Sequence, residues 1–278
     1  MNNKEMVLEN LDKRIQLLDK KEDKLLFKEH FLKTYTKKKI APLQERISEK
    51  IPAQLENTLV QAFSGAFKLI YRNGLPWIEK TFSALEMNET YQKRCEKLDA
   101  TMGKKNFKDY KRQLKDASMV MGEGIGLGAL GISLPDIPVY IGFLLRTCMI
   151  SAKSHGIDIS SEKERYMMLQ LIALSVAPKE NRQDRQSLLR ELSKNIDDYN
   201  DVFYDLESAI RDASAQLAQS MLLSRFVMGV PLIGTIGGLY HSNMILRLQQ
   251  FSDIYYERRL LYKKRTAILR EYPPKERE

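Results

Sequence analysis

Apolar residues recur at three- and four-residue steps along most of this chain, a spacing that gathers them on one helix face instead of alternating them as a strand would. From Asn3 to Lys39, Met6, Leu8, Leu11, Ile15, Leu18, Leu25, Phe27 and Phe31 keep roughly that rhythm in a polar background, predicting one or two amphipathic helices. The basic run Lys37, Lys38, Lys39 and then Pro42 interrupt it, so residues 1–40 read as a basic N-terminal arm hinged to a helical body over 41–270. In that body Leu55, Leu59, Phe63, Ala66, Phe67 and Ile70 share a face up to Asn73 and Gly74, a pair that ends helices, and Pro76 then restarts the chain. Ser161 with Glu164 makes a capping-box pattern ahead of Tyr166 to Val176, and Pro178 closes that helix. Helices are expected over about 182–195, 197–223 and 244–270, before a polar tail at 271–278. No stretch sustains period-two alternation, and the predicted fold is all-α with no sheet.

Two segments break the amphipathic pattern. Residues 119–138 contain Gly122, Gly124, Gly126, Gly128 and Gly131, then Pro135 and Pro138, and lead into an apolar helix that carries Arg146 and ends at Gly156. Val230 to Gly238 reads VPLIGTIGG. Glycines four apart open a groove on a helix that another backbone can enter, and each costs about 1 kcal/mol relative to alanine. Five in one segment therefore need close packing or a membrane, and the two segments are expected to pack together as glycine-rich helical hairpins. Phe226 to Leu246 has no formal charge over twenty-one residues, just enough to cross a bilayer. Pro231, His241, Asn243 and, in the earlier segment, Glu123 and Asp136 disfavour stable spanning. A buried core hairpin and reversible interfacial insertion both stay open.

The order of these features, a glycine-rich apolar segment, then LPDIP, then an Arg-bearing helix ending in Gly156 and Asp158, resembles the EcsC family, with the second element about a hundred residues later. The resemblance spans roughly residues 40 to 265. It implies a helical fold class and no defined reaction. Asp136 and Arg146 stand where the family has its acidic and basic residues, whereas His155 stands where the family has an aromatic residue. The family takes its name from a gene beside an ABC transporter operon, so an association with such a transporter or a secretion system is what the resemblance implies.

Charge adds a partner class. The formal net charge is +9, concentrated at the two ends, where Lys37, Lys38, Lys39, Arg258, Arg259, Lys263 and Lys264 are candidate lipid-facing cations. An anionic membrane surface or a membrane protein is the expected partner. The tyrosines within YYERRLLYKKR also fit a packed helix face, no nucleic-acid motif accompanies them, and nucleic acid is not expected. With no secretory leader pattern the expected location is the cytoplasm, peripheral at the inner face of the plasma membrane. The sequence is silent on oligomeric state.

No motif carries a reaction. Gly126, Gly128 and Gly131 fit GxGxxG, but no strand precedes them, Pro135 follows at once, and no acid stands where a ribose partner would. Cys95 and Cys148 have no paired spacing, and His30, His155 and His241 share no metal-ligand spacing. Asp197, Asp201 and Asp205 form an acidic stripe that helix-start preference explains without a metal. The expectation is a non-enzymatic protein with no metal and no cofactor, Glu123, Asp136, Arg146, Arg225, His241 and Arg247 being the candidate ion-pairing or functional residues. The alternative is an enzyme or a carrier of a small apolar ligand, its pocket lying between the glycine-rich hairpins.

Overall fold

The computed structural model describes residues 3–27, 53–80, 89–96, 137–198, 204–228 and 235–271, and among them every regular element is helical. In chain order these are α1 (Asn3–Phe27), α2 (Ala53–Leu69), a π-helical turn (Ile70–Gly74), α3 (Leu75–Glu79), α4 (89–96), α5 (Ile137–Ser154), α6 (Glu162–Val176), a 3-10 turn (Lys179–Asn181), α7 (Arg182–Asn195), α8 (Leu206–Met228) and α9 (Thr235–Glu271). The all-α expectation holds. The first glycine-rich segment, Val230 to Gly234 of the second, Lys37 to Lys39, Glu123 and Asp136 lie outside the described residues, as does the expected domain boundary near residue 40, whereas Thr235 to Gly238 open α9.

The centre is α6, buried without interruption from Met167 to Ser175. A helix that buries its whole circumference needs neighbours on all sides, and α5, α7, α8 and α9 supply them. α5 and α9 lie side by side in a parallel register. The Tyr140 hydroxyl donates to the Met244 sulfur at 2.8 Å, Ser252 to the Cys148 sulfur at 3.6 Å, and Ser151 to Asp253 at 2.6 Å. Each bond joins residues 102 or 104 positions apart, so the N-terminal ends of both helices sit at the same end of the bundle.

α1 runs along α9, with Leu11, Ile15 and Leu18 packed on Ile254 and Leu261 in a small apolar layer of their own. Its far end, Leu26, joins the main core, and Arg182 fastens it by donating to the Leu26 carbonyl at 2.9 Å.

Three local expectations change. The Asn73–Gly74 pair does not stop the chain: the Leu75 N–H bonds back to the Ile70 carbonyl, a five-residue step that carries α2 into α3 through one wide turn. The capping box at Ser161 does not form, because the Glu164 carboxylate turns inward to Arg259, and the Ser161 side chain makes no cap bond. The helix expected from Asp197 begins at Leu206, where Asp205 accepts the Ser208 N–H at 2.9 Å.

Candidate functional site

The continuation of α2 through the π turn creates a wall. Ile70, Gly74 and Ile78 recur every four residues along it and face one side of α5, where Pro138, Val139, Gly142, Phe143 and Arg146 occupy a single stripe. Between the walls lies a groove of ≈ 440 Å³ whose lining is almost wholly apolar. That size and chemistry fall within the range of small-molecule sites, about 300–1,000 Å³. Glycine at position 142 keeps it open: a Cβ built there meets nothing within 4 Å. At the mouth Val139 stays 54% exposed, an unusual state for a β-branched residue on a core helix.

Arg146 is the one polar side chain among these lining residues, and it is half-buried. Since the groove surface is apolar, the aliphatic stem of Arg146 forms part of the wall, as long cationic side chains commonly do. Arg247, by contrast, is buried on α9 with its guanidinium 5.3 Å from the centre of the Phe251 ring, and it does not line the groove. Arg225 and His241 belong to α8 and α9, but their side chains are outside the described residues. The structure therefore places one of the six candidate residues, Arg146, at a site.

The expected lipid-facing cations divide sharply. Arg258 and Arg259 are 1% and 2% exposed, which corrects the expectation for both. Arg258 pairs with Asp19 at 2.8 Å and Glu22 at 2.7 Å from α1, and stacks over the Tyr255 ring. Arg259 holds Glu164 through two short bonds of 2.6 and 2.7 Å and also Asp197 at 2.8 Å. Burial alone would lower the Arg259 pKa, but its bonds to these two carboxylates outweigh that and raise it. Lys263 remains exposed and Lys264 half-buried. Asp197, engaged by Arg259, and Asp205, capping α8, serve structure, Asp201 lies outside the described residues, and among the described residues no group of acidic, histidine or cysteine side chains is arranged to hold a metal.

One constellation has the residue types of a catalytic triad without its geometry. Ser151, His155 and Asp253 meet near the end of α5, but the Ser151 hydroxyl donates directly to Asp253, and it is the Ser151 carbonyl that His155 Nδ1 contacts at 2.8 Å. Arg94 Nη1 approaches His155 Nε2 at 2.9 Å. A guanidinium can only donate, so Nε2 must accept and Nδ1 must carry the proton. Burial, then the Arg94 charge, lowers the His155 pKa to about 4. The ring caps α5 as a neutral group, although the dipole at a helix C-terminus by itself favours the charged form. Cys148 is likewise inert, its thiol pushed up to about 12 by burial.

A model of the EcsC protein family matches residues 12–261. No curated protein matches the chain, and no solved structure matches it.

Proposed function

The chain belongs to the EcsC protein family, and on that premise we propose that it is a non-enzymatic helical protein that takes up an apolar chain at a membrane face. The groove between the α2–α3 wall and α5 carries this reading: it is open, apolar, of ligand size, and ends on exposed Val139. The residue types in it support binding without chemistry, because none of the described residues lining it is a nucleophile or general base. Peripheral attachment fits a chain in which, among the described residues, no helix is long and apolar enough to cross a membrane. Proximity to a transporter, suggested by the family's name, belongs to the same proposal.

Burial of Arg258 and Arg259 shifts the proposed attachment away from a purely cationic tail and toward the groove mouth. Flotation of the full chain with vesicles of mixed neutral and anionic phospholipid tests it. Val139→Asp, placed at the exposed mouth where it should not disturb the core, is expected to cut recovery with the vesicles several-fold. Recovery equal to that of the unaltered chain would overturn the reading.

A further inference from the structure

The chemistry of the groove walls restricts what can occupy them, and this inference rests on the apolar-chain reading above. Seven of the eight lining residues offer no side-chain hydrogen bond. A sugar, nucleotide or extended peptide placed there would lose its bonds to water without replacement, at roughly 1–3 kcal/mol for each group. An aliphatic chain loses none. The polar end of such a ligand must then lie outside the apolar stretch, and Arg146, half-buried, is the one lining residue with a polar group to meet it.

From these observations we infer that the groove binds a single-chain aliphatic carboxylate, its tail between Ile70, Ile78 and Phe143 and its head group beside Arg146. A planar guanidinium matches a carboxylate with two parallel N–H···O bonds, a geometry that an ammonium or a neutral amide cannot offer. The interaction does not require Arg146 to lack other contacts, because its five N–H donors can serve more than one acceptor. The π turn has a part in this arrangement. Its additional residue keeps Ile70, Gly74 and Ile78 in one line along the wall, and such turns are frequent at ligand sites. The ≈ 440 Å³ of the groove suits one chain and not the paired tails of a phospholipid.

Displacement of cis-parinaric acid, which fluoresces when sheltered from water, tests the inference on the full chain with laurate and dodecanol as competitors of equal length. Saturable probe binding is expected, with laurate displacing the probe at about ten-fold lower concentration than dodecanol. Arg146→Gln should erase that difference while dodecanol keeps its potency, and Arg146→Lys should restore part of it. Gly142→Leu, which grows a side chain into the open space over α5, should abolish binding of both competitors in a folded protein. Equal potency of laurate and dodecanol on the unaltered chain overturns the carboxylate assignment and leaves the apolar-chain reading standing. Absence of saturable binding, or a Gly142→Leu variant that binds as well as the parent, overturns both. Should Arg146→Gln fail to fold, the laurate to dodecanol ratio on the unaltered chain decides alone.

Discussion

Arg258 of α9 and Glu22 of α1 meet at 2.7 Å with 1% and 0% of their side chains exposed. The pair joins residues 236 positions apart in sequence, and it is surrounded by further charge. Arg190 reaches Glu22 at 2.8 Å, and the Tyr255 hydroxyl donates to the other carboxylate oxygen. Removing Glu22 would leave Arg258 buried with only the partly exposed Asp19 for compensation. Glu22→Ala is therefore expected to lower unfolding free energy by about 3–5 kcal/mol, seen as a fall in the urea midpoint. A loss below about 1 kcal/mol would show that α1 is not held by this charge network.

The His155 ring carries a signed pH dependence. Its folded-state pKa lies near 4, below the ordinary 6.5, because burial and Arg94 disfavour the cation. Between those values the unfolded chain binds a proton that the folded chain refuses, so stability is fully present above about pH 6.5 and drains away as pH falls toward 4. The difference amounts to about 3 kcal/mol at most. Glu164, raised by burial, works in the opposite direction just above pH 4.5. Comparison with His155→Gln isolates the histidine. Its unfolding free energy should change less between pH 7 and 4.5 than that of the parent, and parallel pH profiles would count against a buried neutral ring.

Two glycines should respond with opposite signs to alanine. Gly65 lies on the exposed side of α2, with nothing within 4 Å of an added Cβ. Gly65→Ala is expected to raise stability by about 1 kcal/mol through helix propensity. Gly156 has φ of +72° and would place a Cβ 2.6 Å from the Tyr91 ring, which packs α4 onto the end of α5. Gly156→Ala should cost at least about 1–2 kcal/mol in backbone strain and push α4 away. Thermal melts of the two variants on the same side of the parent would contradict this assignment.

Periodicity made most of the helices legible, because burial of a face leaves a three- and four-residue trace in any sequence. What it concealed was the use of charge. YYERRLLYKKR counts locally as a basic run, yet its neutralising carboxylates, Glu22 and Glu164, lie 236 and 95 positions away. A signal was present: Phe251, Tyr255, Arg258 and Tyr262 recur at helical steps, which sets Arg258 on the apolar stripe of α9. Glu164 is ambiguous in the sequence for a related reason. A capping box and a buried ion pair ask for the same residue, and only the arrival of Arg259 from α9 distinguishes them. Of the groove, the sequence exposed Arg146 but not the opposite wall, because Asn73–Gly74 reads as a stop and the π turn runs through it.

The C-terminal basic run offers a separation of structural from surface charge within five residues. Arg259 is buried and bound to Glu164 and Asp197, whereas Lys263, one helical turn later, is exposed. Arg259→Gln keeps a polar side chain but leaves the almost fully buried Glu164 without its cation, and a cost of about 3–5 kcal/mol is expected. Lys263→Gln removes an equal formal charge from solvent and should shift stability by no more than about 0.5 kcal/mol. If exposed cations on α9 also help attachment to anionic vesicles, Lys263→Gln should weaken it and reduce its salt dependence with the fold intact. Equal loss of melting temperature in the two variants would mean that burial does not decide how these cations act. Unchanged vesicle binding by Lys263→Gln would confine membrane attachment to the groove end of the molecule.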